Sequence, residues 1–147
     1  MLPEKTREQF EKVVESQLAR IQAMKDQGDF VDYSKLDKII IGVCGGDGIG
    51  PMITSMAQHV LETLLADKVK AGKVEFRVID GLTIERRAEL GCAIPPDVME
   101  ELKACHVILK GPTTTPRKGD PWPNVESANV AMRKALDLFA NVRPVKV

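Results

Sequence analysis

The sequence contains few of the residues that build metal sites or disulfide frameworks. Three cysteines and two histidines occur in 147 residues. The cysteines, Cys44, Cys92 and Cys105, are odd in number and have no C-x-x-C spacing. This pattern argues against a structural zinc site and against a disulfide framework. We therefore predict no metal-ligating residues within this chain.

Long apolar runs and an excess of one charge are also missing. The 21 basic and 21 acidic residues cancel and form no block of like charge, so neither a nucleic acid nor a membrane surface is an expected partner. No apolar stretch approaches the roughly 20 residues that span a bilayer. The N-terminal segment carries Glu4, Glu8 and Glu11 and has neither a signal-peptide core nor the acid-poor character of a transit peptide. We expect a cytoplasmic protein with one core, or one piece of a larger domain.

The first 37 residues read as a helical extension followed by a linker. Apolar residues recur at intervals of three and four from Phe10 to Met24, which predicts an amphipathic helix over residues 4–27, ended by Gly28. Residues 29–37 read as the linker. An apolar stripe of this kind must be covered, by its own domain, by a partner subunit or by a membrane surface, and the sequence leaves these alternatives open.

Strands and helices alternate over residues 38–147. Residues 38–44 form a continuous β-branched run, typical of a strand buried on both faces of a parallel sheet. This alternation predicts an α/β fold whose ligand-binding loops follow the carboxyl ends of the strands. Further strands are expected at 74–80, 106–110 and 139–147, and helices from Pro51 to Leu64 and at 85–90, 96–104 and 126–138.

The glycine-rich turn at residues 45–51 follows the first of these strands. Its glycines do not satisfy G-x-G-x-x-G, and the turn also lacks the lysine and Ser/Thr of a phosphate-binding P-loop. Glycine serves tight turns and close ligand approach equally well. Both a structural turn and a ligand-facing loop remain open.

The last 40 residues are rich in side chains that bind anions. Asn129 and Arg133 are four residues apart and share one helix face, and Ser127 lies near the start of that helix, where backbone amides favour anions. An ordinary N-cap would also explain Ser127, and a solvated arginine would explain Arg133. Taken together, these residues indicate a small polyanionic substrate. The other polar side chains that we include are Lys110, Arg143 and the threonines Thr113, Thr114 and Thr115.

Four segments resemble one protein family, in that family's order: GDGIGP at 46–51, KGPTTTP at 110–116, SANVAMR at 127–133 and NVRPV at 141–145. They are similar to the amino-terminal part of the isocitrate and isopropylmalate dehydrogenases, the β-decarboxylating dehydrogenases. The resemblance covers residues 38–147 and excludes residues 1–37. It implies the family's parallel-sheet core, incomplete in this chain, with the last strand entering a second domain.

The resemblance also implies roles for individual residues in substrate binding. Ser127 and Asn129 would contact one carboxylate of isocitrate, and Arg133 and Arg143 would clamp the others. Thr114 would lie where substrate and nicotinamide meet. Arginine suits this role because its planar fork binds a carboxylate through two parallel hydrogen bonds. Isopropylmalate enzymes need an apolar recess where Ser127 and Asn129 stand, so these two residues favour isocitrate.

Three further residues are assigned to the cofactor side of the pocket by the same resemblance. Ile49 would pack near the adenosine of NAD or NADP, Thr115 would lie beside Thr114 at the nicotinamide, and Lys110 would give catalytic support. The implied reaction is the oxidative decarboxylation of isocitrate to 2-oxoglutarate, a step of the tricarboxylic acid cycle. It uses Mg²⁺ or Mn²⁺, with metal ligands expected outside this chain.

The family's catalytic tyrosine and lysine and its metal-binding aspartates come later than residue 147. The only tyrosine here, Tyr33, precedes the first core strand, and no acidic residue follows Asp137. We therefore expect an amino-terminal fragment, or one half of a split enzyme, that is inactive alone and works with its remainder or as a homodimer. A non-catalytic, isocitrate-binding regulatory subunit and an isopropylmalate or homoisocitrate dehydrogenase are the alternatives.

Overall fold

A computed structural model of the chain describes residues 3–28 and 31–146. The chain divides into two compact units, Met1–Lys35 and Leu36–Val147. The first unit contains helix α1, Glu4–Asp26, whose C-cap residue Gln27 donates its N–H to the Ala23 carbonyl. The predicted amphipathic helix is thus confirmed. All of its residues are exposed, including the apolar stripe that runs from Phe10 to Met24.

The linker predicted over residues 29–37 is only partly described. Residues 29 and 30 lie outside the described residues. The rest contains one short 3-10 turn, Tyr33–Lys35. The Asp32 carboxylate stabilises this turn by accepting hydrogen bonds from the N–H and the hydroxyl of Ser34, at 3.0 and 2.6 Å.

The second unit is built on a three-stranded parallel sheet with strand order β2-β1-β3. The strands are β1, Ile39–Cys44, β2, Val74–Val78, and β3, Val107–Lys110. Ile41 of β1 is in register with Phe76 of β2 and with Val107 of β3. The last four residues of β1 are buried, as expected of a central strand whose side chains are covered on both faces. The predicted α/β parallel-sheet fold is confirmed.

Among the described residues of this unit there are five helices. They are α2, Gly50–Leu64, and α3, Ala66–Lys70, between β1 and β2, α4, Ile84–Leu90, and α5, Pro96–Lys103, between β2 and β3, and α6, Ala128–Ala135, after β3. Helix α4 begins after Thr83, whose side chain accepts a hydrogen bond from the Arg86 N–H, and ends at Gly91 in the left-handed conformation that is common at helix C-termini. The short helix α3 was not anticipated from the sequence. No helix within the described ranges combines the length and apolar character needed to cross a bilayer.

The hydrophobic core joins α5 and α6 to the last residue of β1 and to the segment that follows β2. Val98 and Leu102 of α5 and Ala128 of α6 are fully buried. Burying an aliphatic side chain such as Leu102 contributes about 1.5–3 kcal/mol. Since Ala128 is the first residue of α6, this packing also fixes where that helix begins. The buried members of the cluster are Cys44, Ile79, Leu82, Ile94, Val98, Leu102, Ala128 and Met132.

The strand predicted over residues 139–147 is wrong for the part of it that the structure describes. Residues 139–146 form no regular structure and are exposed. A strand needs a neighbour that satisfies its backbone N–H and C=O groups, and β3 has no second neighbour within the described residues. Helix α6 is also shorter than predicted, because Asp137 adopts a positive φ of 48° just beyond its end. That residues 139–147 enter a second domain stays a prediction.

Candidate functional site

The carboxyl ends of β1 and β3 bring together the glycine turn, residues 45–51, and the loop at residues 111–116, which we call the threonine loop. Cys44, the last residue of β1, is in register with Lys110, the last residue of β3. The chain leaves the central strand β1 toward β2, whereas β3 lies on the other side of β1. In open α/β sheets such a point of divergence is where ligands bind.

Two glycines allow the turn and the loop to touch along their backbones. Gly46 has a φ of +73°, and a Cβ placed there would overlap the carbonyl oxygen of Pro112. A Cβ at Gly111 would likewise overlap the carbonyl oxygen of Gly45. The Asp47 N–H donates to the Pro112 carbonyl at 2.8 Å. The structural alternative for the glycine turn is therefore supported at Gly46.

The opposite side of the same turn borders a cavity of about 280 Å³. Its lining includes Gly46, Pro51 and the segment 79–83. Ile49, at the tip of the turn, is 65% exposed. An exposed apolar side chain at the carboxyl edge of a parallel sheet is available to a ligand, so the ligand-facing alternative also remains.

Asp47 connects the glycine turn to both of its neighbours. One carboxylate oxygen, Oδ1, accepts the Ile84 N–H at 2.7 Å, and the other, Oδ2, accepts the Thr114 N–H at 2.6 Å. Hydrogen bonds to a carboxylate are stronger than those between neutral groups. The carboxylate thereby holds the start of α4 and the threonine loop at fixed positions.

Arg87 makes a second connection from inside the protein. Its side chain is fully buried and donates to three backbone carbonyls: Nε to Ala93 at 2.7 Å, Nη1 to Thr114 and Nη2 to Glu126, both at 2.8 Å. Burial lowers the pKa of the guanidinium from its usual value. The threonine loop and the residue before Ser127 are thus bound to one side chain.

Lys110 lies at the edge of this site and is partly buried. Its Nζ donates to the Gly111 carbonyl at 2.8 Å and to the Thr113 hydroxyl at 3.0 Å. Burial lowers the pKa of Lys110 and raises the pKa of the buried Cys44 thiol, which Lys110 partly offsets by its charge. The ammonium group orders the loop and adds positive potential beside it.

The polar residues of α6 have side chains that are free to bind a ligand. Ser127 occupies the N-cap position of α6, but its side chain makes no capping hydrogen bond, so an ordinary N-cap does not account for it. Asn129 and Arg133 are exposed on the face away from the buried Ala128 and Met132. Neither has a side-chain hydrogen bond or salt bridge within residues 3–28 and 31–146.

The structure brings together some of the predicted site residues and leaves others apart. Lys110, Thr114 and Ser127 lie on segments that share hydrogen bonds, and Ile49 is in the turn bound to the same loop. Thr115 is exposed beside Thr114. Arg143 lies in the exposed segment 139–146, which has no regular structure. Within the described residues, no hydrogen bond or salt bridge joins its side chain to these loops.

Two residues of the site were missed by sequence reasoning. Asp47 was treated only as part of the glycine turn, and Arg87 was not singled out. A signal for Arg87 was available, because it follows the buried Ile84 by three residues and so falls on the buried face of α4. A charged residue on such a face needs buried partners.

The side chains of the described residues decide whether this chain could hold a metal ion by itself. In the described part of the chain, no three His, Cys, Asp or Glu side chains come together in a group that could hold a metal ion. The residues here therefore do not fit a metal centre by themselves. The Asp47 carboxylate at the loops is occupied by two backbone N–H groups. The other groups there are amides, hydroxyls and cations, which suit an anionic organic ligand.

Comparison with known proteins gives consistent matches over the second unit. Residues 40–147 match the family described as isocitrate/isopropylmalate dehydrogenase. The isocitrate dehydrogenase [NADP] of Caldococcus noboribetus is 40% identical over 113 residues, which are 75% of this chain and 25% of that protein. The 3-isopropylmalate dehydrogenase of Anaeromyxobacter dehalogenans is 36% identical over 109 residues, 73% of this chain and 30% of that protein.

A solved structure matches as well. The apo crystal structure of a β-decarboxylating dehydrogenase from Thermococcus kodakarensis is similar with a TM-score of 0.52 and 33% identity, covering 67% of this chain and 27% of the other. The chain thus spans between a quarter and three tenths of the length of these relatives.

Proposed function

Because this chain belongs to the isocitrate/isopropylmalate dehydrogenase family, we propose that residues 40–147 supply the substrate-binding part of an NAD(P)-dependent isocitrate dehydrogenase. The observation that carries the proposal is the set of unpartnered polar side chains on α6 and at its N-cap. Ser127 and Asn129 present polar side chains at the N-terminal end of α6, where the helix amides favour anions, and Arg133 presents a cation in its last turn. None of the three side chains has a partner among the described residues.

The substrate assignment rests on the chemistry of Ser127 and Asn129. A hydroxyl and an amide can donate hydrogen bonds to a carboxylate, whereas neither favours a branched alkyl group. Isocitrate carries a carboxylate where isopropylmalate carries the alkyl group. We propose that Arg133 and Arg143 bind the remaining carboxylates, since both are exposed cations in segments that match the family.

The other groups have supporting roles. Lys110 places an ammonium group beside the threonine loop, where it would stabilise negative charge on the substrate. NAD or NADP, when bound, accepts the hydride of the 2-hydroxy acid. Ile49, Thr114 and Thr115 would hold that cofactor at the point where β1 and β3 diverge. Ligands for Mg²⁺ or Mn²⁺ would come from outside this chain, from the remainder of the enzyme or from a second copy.

The proposal is tested by titrating the ¹⁵N-labelled 147-residue chain with isocitrate and, separately, with isopropylmalate. We expect amide shifts centred on Thr114 and residues 127–133 that saturate with a Kd on the order of 1 mM for isocitrate. Arg133→Ala should weaken this binding about fivefold, because an exposed charge contributes up to about 1 kcal/mol. The exposed Lys103→Ala on α5 serves as the control and should change nothing.

Substitution of Asn129 separates the two substrates. Asn129→Leu should weaken isocitrate binding and leave isopropylmalate binding equal or stronger, because leucine cannot pair with a carboxylate but can contact an alkyl group. A native chain that binds both acids equally, with equal losses in Asn129→Leu, would remove the support for isocitrate and favour a broader 2-hydroxy-acid site.

A further inference from the structure

Arg87 is buried in α4 and forms no salt bridge with any carboxylate among the described residues. Each of its three guanidinium nitrogens donates to a backbone carbonyl, and these carbonyls come from three separate segments. Ala93 lies between α4 and α5, Thr114 lies in the loop after β3, and Glu126 lies just before α6. Burying a guanidinium is unfavourable unless its donors are hydrogen-bonded. The three carbonyls provide an acceptor for each guanidinium nitrogen, and the same hydrogen bonds hold the carbonyls in place.

Thr114 is held from both sides by this arrangement. Its N–H is bound by the Asp47 carboxylate at 2.6 Å, and its carbonyl is bound by Arg87 at 2.8 Å. The peptide groups on either side of Thr114 therefore cannot rotate without breaking a charge-assisted hydrogen bond. Its side chain stays free of protein hydrogen bonds in the described residues and points from a rigid backbone.

The same guanidinium reaches the start of α6. The Glu126 carbonyl belongs to the peptide group whose nitrogen is that of Ser127, so Arg87 fixes the plane that precedes the Ser127 side chain. Arginine's nitrogens lie in one rigid plane. Because Nη1 and Nη2 of this rigid group bind the Thr114 and Glu126 carbonyls, the two carbonyls are held at a fixed separation.

We propose that Arg87 is a positioning residue that sets the spacing between Thr114 and Ser127, and thereby shapes the site for an anionic substrate. The residue does not touch the substrate. The inference rests on the proposed function for its consequence, because Thr114 and Ser127 are the groups assigned there to substrate binding. Its structural part, the coupling of the two loops, stands independently of any ligand.

Two substitutions of Arg87 and two control substitutions test this role. Arg87→Met keeps an unbranched side chain but removes all three donors. Arg87→Lys keeps the charge, but a single nitrogen cannot occupy the positions of Nε, Nη1 and Nη2. Arg86→Met makes the same chemical change at the neighbouring residue, whose guanidinium instead pairs with Asp97 at the surface at 2.6 Å. Val74→Ala, at the amino end of β2, is the control for lowered stability far from the loops.

The first measurement is amide hydrogen exchange in the full 147-residue chain without ligand. The N–H groups of Thr114 and Ala131, which donate to Asp47 and to the Ser127 carbonyl, should exchange at least about tenfold faster in Arg87→Met and Arg87→Lys. They should be unchanged in Arg86→Met. Native-like exchange at both amides in the Arg87 variants would overturn the coupling.

The second measurement is isocitrate affinity of the folded variants. We expect the Kd to rise at least about tenfold for Arg87→Met and Arg87→Lys, and to stay within about twofold of native for Arg86→Met and Val74→Ala. A purely structural role would lower stability without changing the affinity of the folded protein. An Arg87 variant that binds isocitrate as the native chain does would therefore overturn the proposal.

The two proposals fail in different ways. If the native chain does not bind isocitrate, the proposed function is contradicted, and the exchange measurement alone decides the role of Arg87. If Arg87→Met does not fold, Arg87→Lys decides it. As a further check, methylguanidinium should restore slow exchange at the Thr114 and Ala131 amides in Arg87→Ala, and ammonium should not. Failure of that rescue in a folded Arg87→Ala would also count against the role.

Discussion

Lys110 is a cation that the fold makes harder to keep protonated. Burial lowers its pKa below the ordinary value of 10.5, and the nearby Cys44 and Asp47 only partly offset this. The unfolded chain thus holds the proton on this lysine more tightly than the folded protein does. Protonated Lys110 opposes folding at neutral pH, and the opposition disappears as the pH rises from the folded-state pKa to the unfolded one.

A prediction about pH follows from the sign of this shift. The free energy of unfolding of the native chain, relative to Lys110→Met, should increase as the pH rises from neutrality toward 10.5, the ordinary pKa of lysine. Urea unfolding of both proteins at each pH measures the difference, and Lys103→Met on the surface of α5 gives the baseline. A difference that stays flat or falls across this range would show that Lys110 is not penalised by burial.

At the scale of elements, the glycine turn and the threonine loop act as one unit. Gly46 and Gly48 both have positive φ, 73° and 59°, yet their surroundings differ. A Cβ at Gly46 would overlap the Pro112 carbonyl, whereas a Cβ at Gly48 meets nothing within 4 Å. The pair therefore separates the effect of backbone conformation from the effect of close approach.

Alanine substitutions at these two glycines should differ in stability. Gly48→Ala should lower the free energy of unfolding by about 1 kcal/mol, the net effect of a left-handed conformation and a stiffer unfolded chain. Gly46→Ala should lower it by at least about 3 kcal/mol, because the loop must also move. Chemical denaturation measures both. Equal losses would mean that Pro112 yields at little cost and that the contact does not fix the loop.

Local pattern accounts for the elements that were correctly predicted. The apolar run of β1 and the helical spacing of α1 and α2 are properties of neighbouring residues, so they could be recognised in the sequence. The last strand could not be judged in this way, because pairing depends on a neighbour at the sheet edge. The link from Asp47 and Arg87 to Thr114 joins residues 67 and 27 positions apart. Such contacts exist only after the chain has folded.

The candidate site shows the same division. Ser127, Asn129 and Arg133 were proposed as site residues because they lie close together in the sequence and match a family motif. That their side chains have no partner within residues 3–28 and 31–146 is a structural result that the sequence did not contain. Arg87 was missed because its three acceptors are backbone carbonyls, which carry no residue-specific signal.

At the scale of the whole molecule, helix α2 leaves an apolar face in solvent. Met52, Met56 and Val60 are each more than half exposed, as is Leu64 at the end of the helix. Single exposed apolar residues are common, but a continuous stripe of them is typical of a surface that contacts protein. Within the described residues, β2 and β3 also each have an unpaired outer edge.

The complete reaction should be beyond this chain alone. We expect no reduction of NAD or NADP by the purified 147 residues with isocitrate and Mg²⁺ or Mn²⁺, because no metal-holding group exists among the described residues and the chain spans 25–30% of its relatives. Absorbance of the reduced cofactor measures turnover, with the Caldococcus noboribetus enzyme as positive control. Activity that elutes with the chain in gel filtration would contradict this expectation.

The central position of β1 also governs the order in which the protein can form during synthesis. β1 is the first strand to leave the ribosome, but its partners lie far downstream: the Ile40 N–H donates to His106 Nδ1, 66 positions later. At about 5–20 residues per second, β1 waits about 3–13 s before β3 can pair with it. Parallel pairing over such distances is also slow to nucleate. During that time the nascent chain exposes an apolar strand with an unpaired edge, which a chaperone can protect from aggregation.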